Sequence, residues 1–191
     1  MEADAELKQY HDYLLTRSRL GHLYRVHLLY PRIARELSGR AVDIGCGLGD
    51  FCAFRQETTG LDINPYNIEY CKARGVGAAH LISGGLFPCR DREFDSALLD
   101  NVLEHLIDPS RLLAETRRVL GPGGILVAGV PGEKGFASDP DHKVFYDLPK
   151  LRQTLAAGGF AFLHAFRMPL DLAFLSPLLR QLCLYGVFRK E

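Results

Sequence analysis

The sequence lacks tryptophan, and it has no surplus of charge of either sign. Its 23 lysine and arginine residues balance 23 aspartate and glutamate residues, so the formal net charge is zero. A protein that binds nucleic acid through phosphate contacts is expected to be basic, so we expect no nucleic-acid partner. No apolar run approaches the ~18 residues of a membrane-spanning helix, which predicts the absence of a membrane span.

Cysteine is present but shows no pattern typical of a disulfide framework or a zinc site. The five cysteines form no C-x-x-C pair, and their number is odd. The acidic, polar start MEADAELKQY predicts no secretory leader. We therefore expect a cytoplasmic protein. Its oligomeric state is left open between a monomer and a homodimer.

The length of 191 residues predicts one domain over residues 1–191. Residues 1–38 are predicted to form a helical cap of two helices broken near Gly21. Residues 39–191 alternate between apolar strand-like and helix-like segments, which predicts an α/β, doubly wound sheet with helices on both faces. The predicted strands are 41–44, 58–62, 79–82, 94–100 and 123–131, and the predicted helices are 65–74, 108–120 and 148–160. The final segments FAFLHAFRM and LCLYGVFRK lack a helical crossover, so they predict an antiparallel C-terminal hairpin.

The most informative segment is a glycine loop that follows the first predicted strand. Gly45, Gly47 and Gly49 stand at alternate positions, where glycine permits positive φ and a close approach of a ligand to the backbone. The second strand ends at Asp62, which is expected to face the same crevice and to accept ribose hydroxyls. Asp50 stands where the dinucleotide fingerprint requires its third glycine, which disfavours a nicotinamide-dependent oxidoreductase.

Four motifs in order support a family assignment: VDIGCGLGDF, GLDINP, FDSALLDNVLEHL and LGPGGILVAGVPG. They resemble the class I S-adenosylmethionine-dependent methyltransferases, in particular the small-molecule branch with the ubiquinone and menaquinone methyltransferases. The resemblance covers about residues 38 to 165. It implies a Rossmann-like seven-stranded sheet with a reversed last strand, S-adenosyl-L-methionine as cofactor and S-adenosyl-L-homocysteine as product. It also implies methyl transfer to oxygen or nitrogen of a small molecule, and the C-terminal segment leaves a sugar-pathway or a quinone-like acceptor open.

The same resemblance implies the residues that contact the cofactor. The methionine and ribose part would be held by Asp43, Gly45, Cys46, Gly47, Gly49 and Asp62, the adenine would be bordered by Ile63, Ser83, Gly84, Gly85 and Leu86, and the transferred methyl group would lie near Asp100 and Asn101. Many relatives carry an acid after the third strand that binds the adenine amino group. The stretch Ser83-Gly84-Gly85 has none.

Three residues are candidates for a catalytic role: His142, His105 and Tyr146. His142 lies in a long loop after the fifth strand and is expected to face the acceptor as a general base, with a structural hydrogen bond to the loop backbone as the alternative. In ubiquinone-type relatives an E-x-x-E-H element is implicated in metal binding. Asn101 replaces its first acid here, so no metal is expected. A non-catalytic cofactor-binding partner or regulator of the same fold is the alternative function.

Overall fold

A computed structural model of the chain describes residues 2–16, 18–76, 79–82, 84–169 and 182–191. It contains a seven-stranded sheet in the order β3-β2-β1-β4-β5-β7-β6. The strands are β1 (Ala41–Ile44), β2 (Thr58–Asp62), β3 (Ala79–Leu81), β4 (Phe94–Asp100), β5 (Leu120–Pro131), β6 (Phe160–Met168) and β7 (Cys183–Lys190). Strands β1 to β5 pair in parallel, whereas β7 is antiparallel to both β5 and β6. The predicted Rossmann-like sheet with an antiparallel C-terminal pair is confirmed.

The N-terminal helices are α1 (Glu2–Leu15), α2 (Arg19–Tyr24) and α3 (Tyr30–Ala34), with a π-helical turn over Arg25–Leu29. The break predicted near Gly21 lies before α2, because the Ser18 side chain caps that helix by accepting the Gly21 N–H over 3.1 Å. Gly21 is therefore inside α2. Pro31 lies in the first turn of α3, where its missing N–H is tolerated.

The remaining helices are α4 (Asp50–Phe54), α5 (Pro65–Ala73), α6 (Ser110–Val119), α7 (Glu133–Phe136) and α8 (Leu148–Ala157), and a 3-10 turn covers Leu103–His105. The Asn64 side chain caps α5, whereas the N-cap position of α6 is Pro109 and Asp108 lies one residue before it. Asn64 accepts the Tyr66 N–H over 3.0 Å, and Asp108 accepts the Ser110 N–H over 2.9 Å. Helix α4 is short, so the glycine loop is followed almost directly by β2.

Both faces of the central strands are buried. Leu126 and Ala128 of β5 face a core shared with α6 and α8, whereas Val127 faces a second core shared with α3. Uniformly apolar strands are typical of parallel sheets covered on both sides. Within the central strands, acidic side chains occur near the carboxyl ends, as Asp43, Asp62 and Asp100 do. None of the described helices combines the length and apolarity that crossing a membrane requires.

Candidate active site at the carboxyl ends of the strands

The glycine loop is fixed by both backbone conformation and space. Gly45, Gly47 and Gly49 have φ values of +80°, +55° and +72°. A Cβ atom on Gly45 would lie 2.6 Å from a methyl of Val102, and one on Gly49 would lie 2.7 Å from the Cys71 sulfur. A larger residue at either position is therefore both strained and sterically blocked.

The side chain of Cys46 does not face the crevice. It is 8% exposed, and its sulfur lies 2.8 Å from the position that a Cβ atom on Gly60 of β2 would occupy. The backbone N–H of Cys46 donates to the Leu61 carbonyl over 3.0 Å. Cys46 therefore anchors the loop onto β2, and a role toward a ligand is limited to its backbone.

Asp62 connects the end of β2 to the glycine loop. One carboxylate oxygen accepts the Gly47 N–H over 2.8 Å, and the other accepts the Asn64 N–H over the same distance. Burial raises the pKa of Asp62 although these backbone hydrogen bonds oppose the rise. These contacts hold the carboxylate at the end of β2, and an ionised carboxylate is an acceptor for the hydroxyl groups of a ligand.

Two further carboxylates lie near the carboxyl ends of the next strands along the sheet, β1 and β4. Asp43 of β1 is 4% exposed. Its pKa is raised well above the usual range by burial and then by the negative charges of Asp100 and Asp62. Asp100 at the end of β4 accepts the Tyr185 hydroxyl over 2.8 Å. A cationic ligand would offset the repulsion among these acids and favour the ionised form of Asp43, whereas an anionic pyrophosphate would add to the repulsion.

Asn101 directly follows this acidic group and adopts a left-handed backbone with φ of +57°. Its side-chain amide donates to Asp100 over 3.0 Å, and its backbone N–H donates to the Gly129 carbonyl over 3.0 Å. The chain therefore turns sharply at the end of β4, and Asn101 shares the edge of the sheet with Asp43 and Asp100.

The residues predicted to border an adenine lie after β2 and β3. Ile63 is 65% exposed and Leu86 is 59% exposed, so both present apolar surface that no described residue covers. Gly84 and Gly85 both have positive φ and form an exposed turn before Leu86. Ser83 lies outside the described residues.

Helix α1 lies across this crevice, which the sequence did not indicate. Leu14 is 2% exposed and lies over Gly47, 3.5 Å from where a Cβ atom would be. The Leu7 carbonyl accepts the Asn64 side-chain amide over 2.7 Å, and His11 is hydrogen-bonded to Asn67 of α5 over 2.8 Å. These contacts tie α1 to both the glycine loop and α5.

Glu104, His105 and His142 form a cluster on the β4 side of the crevice. The His142 Nε2 atom lies 3.8 Å from a Glu104 oxygen, and the centroids of the two imidazole rings are 4.8 Å apart. Glu104 is fully buried, and neither carboxylate oxygen has a hydrogen-bond partner among the described residues. Burial raises the pKa of Glu104 to about 8. In the sequence Glu104 stands only as the neighbour of His105, and no local pattern indicates that its carboxylate lies beside His142.

The other ring nitrogen of His142 contacts the loop backbone, which is the structural alternative given for this residue in the sequence analysis. Its Nδ1 atom lies 3.0 Å from the Phe136 carbonyl oxygen, and the ring stacks on that of Phe136. Tyr146 is not brought to the open crevice. It is 4% exposed in the core, and its side chain is hydrogen-bonded to Thr154 of α8.

Comparisons with known proteins agree with this geometry. Residues 42–128 match the family model described as a methyltransferase domain. A probable S-adenosylmethionine-dependent methyltransferase of Mycolicibacterium smegmatis is 29% identical over 154 residues, which cover 73% of this chain and 60% of the relative. The structure of a S-adenosylmethionine-dependent methyltransferase from Thermotoga maritima, described as a possible histamine N-methyltransferase, has a TM-score of 0.74 at 21% identity and covers 98% of both chains.

The same fold also occurs in the [4+2]-cyclase SpnF, whose structure has a TM-score of 0.68 at 19% identity and covers 85% of this chain and 80% of that one. The chain spans 34% to 60% of the length of four curated relatives that it matches. The cofactor of the methyltransferase class is S-adenosyl-L-methionine, and its product is S-adenosyl-L-homocysteine. Residues 42–128 of this chain are thus similar to a methyltransferase domain, and the fold is that of S-adenosylmethionine-dependent methyltransferases of known structure.

Proposed function

We propose that this protein transfers the methyl group of S-adenosylmethionine to an oxygen or nitrogen atom of a small molecule. The observation that carries the proposal is the convergence of Asp43, Asp62 and Asp100 on a glycine loop. S-adenosylmethionine has a positive sulfonium and a positive ammonium group, so its charge complements these carboxylates. A nicotinamide dinucleotide would place its pyrophosphate against the same negative charges.

The predicted cofactor contacts enter the proposal with the roles that the resemblance implies. The backbone of the Gly45–Gly49 loop would approach the methionine and ribose, with Cys46 held against β2. Asp62 would accept the ribose hydroxyls, and Asp43 would attract the ammonium group. Ile63 and Leu86 would cover the adenine from the exposed edge, next to Ser83, Gly84 and Gly85. Asp100 and Asn101 would lie at the methyl end.

Methyl transfer is an in-line displacement in which the acceptor atom binds the methyl carbon while sulfur takes the electron pair. The cofactor supplies the electrophile, so the protein contributes mainly alignment and handling of the acceptor proton. We propose that His142 and His105 serve the acceptor side together with Glu104, instead of His142 acting as a lone base. Both nitrogens of His142 face protein atoms, which favours a shared role. Tyr146 would then support the loop from the core.

A cofactor-binding protein without methyl transfer is the second candidate function. The structural likeness to a [4+2]-cyclase illustrates that this fold serves more than one reaction. Both candidates require the same cofactor site, so binding alone does not separate them.

Calorimetry with S-adenosylhomocysteine, S-adenosylmethionine and NAD tests the first step. We expect binding of both adenosyl compounds and no binding of NAD, and the reverse order of affinities would overturn the proposal. Turnover is then tested by release of S-adenosylhomocysteine in the presence of hydroxylated, amine, sugar-like and quinone-like acceptors. Release that depends on one acceptor supports the enzyme, whereas binding without release across the panel supports the second candidate.

The remaining sequence expectations stay predictions. These are a cytoplasmic location, a monomer or homodimer, and the absence of a nucleic-acid partner. Size-exclusion chromatography with light scattering would measure the oligomeric state.

A further inference from the structure

Asn67 is a buried polar residue to which the proposed cofactor site assigns no role. It lies in the first turn of α5 and is 1% exposed, so its side-chain amide is shielded from water. The Nδ2 atom has no hydrogen-bond partner among the described residues. Because a buried N–H group without an acceptor is costly, such groups are normally paired with a nearby oxygen. The amide of Asn67 therefore requires an acceptor.

The orientation of this amide is fixed by helix α1. The His11 Nδ1 atom lies 2.8 Å from the Asn67 Oδ1 atom. An amide oxygen only accepts hydrogen bonds, so His11 carries a proton on Nδ1 and donates it. The His11 ring packs against the rings of Tyr66 and Tyr70 of α5, at centroid distances of 6.2 and 5.7 Å. The oxygen of Asn67 is thus engaged by α1, and its N–H groups remain as donors for another residue.

The Asp62 carboxylate lies on the donor side of Asn67. Helix α5 begins directly after the turn that follows Asp62, and both residues are buried there. Burial raises the pKa of Asp62, and the Asn67 side chain is one of the donors that oppose this rise. An amide lowers the pKa of a carboxyl group when its N–H end faces that group, because this end stabilises the negative charge. The N–H groups of Asn67 therefore face Asp62.

We propose that Asn67 is a positioning residue that donates a hydrogen bond to Asp62, and that His11 orients Asn67 for this contact. The inference rests on the proposed function, in which Asp62 accepts the ribose hydroxyls. The order of donors is His11 to Asn67 and Asn67 to Asp62, so helix α1 helps to direct the carboxylate. This assignment also supplies the acceptor that the Nδ2 atom lacks.

Such a chain of hydrogen bonds would affect ligand preference and not only the stability of the helix. The Gly47 and Asn64 N–H groups hold the two oxygens of Asp62 from the backbone, and Asn67 would add a side-chain donor. A carboxylate held in advance in one direction loses less freedom when it accepts ribose hydroxyls. Loss of the Asn67 contact should therefore weaken the contacts to ribose and spare those to the adenine and methionine parts.

Calorimetry of the intact protein with S-adenosylhomocysteine and its 2′-deoxyribose analogue tests the inference. Asn67→Asp keeps the shape of the side chain and an oxygen for His11, but it replaces the donor by a second carboxylate. We expect S-adenosylhomocysteine to bind roughly 10-fold more weakly or worse, because a hydrogen bond to a charged group is lost and like charges meet. The 2′-deoxyribose analogue should lose less affinity, so the preference for ribose falls.

His11→Phe is the second variant, since it keeps a ring against Tyr66 and Tyr70 and removes the donor to Asn67. We expect the same change of preference at a smaller size, roughly 3-fold, because a neutral hydrogen bond is lost. Tyr66→Phe is the matched control. It removes the hydrogen bond of 3.1 Å from the Tyr66 hydroxyl to Asp4, which also joins α1 to α5. The preference for ribose should be unchanged in this control.

Three results would overturn the inference: wild-type affinity for S-adenosylhomocysteine in Asn67→Asp, an equal loss of affinity for both ligands, or the same change of preference in Tyr66→Phe as in His11→Phe. Circular dichroism checks that each variant is folded, and His11→Phe decides the outcome if Asn67→Asp does not fold. Any of these results with binding by the wild-type protein refutes the positioning role alone. Absence of S-adenosylhomocysteine binding by the wild-type protein refutes the proposed function.

Discussion

Tyr185 of β7 donates its hydroxyl hydrogen to the Asp100 carboxylate at the end of β4, over 2.8 Å. These strands are not neighbours, because β5 lies between them. The contact is possible because Gly129 of β5 has no side chain: a Cβ atom there would lie 2.3 Å from the Tyr185 ring and 2.9 Å from Asp100. The one antiparallel inner strand of the sheet thereby positions a carboxylate of the candidate active site.

Tyr185→Phe removes this hydrogen bond and keeps the buried ring, which stacks on Phe166. We expect the free energy of unfolding to fall by about 1–3 kcal/mol, because a hydrogen bond to a carboxylate is lost. S-adenosylhomocysteine should also bind more weakly. Urea unfolding and calorimetry measure the two effects. Tyr146→Phe is the control, since it removes a buried hydroxyl beside Thr154 and should leave binding unchanged.

Asp62→Asn should weaken S-adenosylhomocysteine binding by roughly 1–3 kcal/mol, because charge-assisted hydrogen bonds to the ribose are lost. The substitution also weakens the contact with Gly47, so the glycine loop is expected to exchange its amide hydrogens faster. Asp50→Asn at the start of α4 is the control, because Asp50 forms an ion pair with Arg74, which directly follows α5. Equal affinities for the two variants would contradict the role of Asp62.

Asp43→Asn is expected to stabilise the protein without cofactor at neutral pH and to weaken S-adenosylmethionine binding. The pKa of Asp43 is raised in the folded state, so the folded chain retains a proton that the unfolded chain has released. Stability is therefore lost as pH rises from about 4 through the raised pKa, by roughly 1.4 kcal/mol for each pH unit between the pKa values of the unfolded and folded chains. Urea unfolding at pH 4 to 7 should show a steeper decline for the wild-type protein than for the variant, in which only Asp62 and Glu104 of the described buried acids still have raised pKa values.

Asp108 provides the control, because its effect on the free energy of unfolding changes with pH in the opposite direction. The pKa of Asp108 is lowered by the hydrogen bonds that its side chain accepts from Ser110, so its contribution to stability is lost as pH falls. In Asp108→Asn the free energy of unfolding should therefore fall less steeply at acid pH, and its dependence on pH above that range should be unchanged. Parallel curves for the wild-type protein and Asp43→Asn would show that Asp43 is not the group responsible.

Leu14→Ala tests whether α1 covers the cofactor site. Leu14 is buried against the glycine loop, and truncation of a buried leucine typically costs ~2–5 kcal/mol. We expect faster amide hydrogen exchange in α1 and weaker S-adenosylhomocysteine binding. The neighbouring Leu15 is 46% exposed, so Leu15→Ala should have little effect on either measurement. Slow exchange in α1 of both variants would contradict the covering role.

The sheet and the centre of the candidate active site could be predicted from the sequence, because the signals for both are local. A strand that runs into Gly45, Gly47 and Gly49 predicts its own turn, and Asp62 ends the next strand in register beside it. Parallel strands bring their carboxyl ends to one edge of the sheet, so the approach of Asp43, Asp62 and Asp100 followed from the alternation of strands and helices.

Which other residues meet around that centre depends on tertiary packing. Leu14 reaches Gly47, and His142 reaches Glu104, through the packing of a helix and a loop whose direction no local pattern specifies. His142 also shows why a residue type in a loop does not reveal its role, since the Phe136 carbonyl and the buried Glu104 determine what its two nitrogens can do. Local sequence fixes conformation over a few residues, whereas the direction of a side chain across the crevice depends on contacts between segments far apart in the chain.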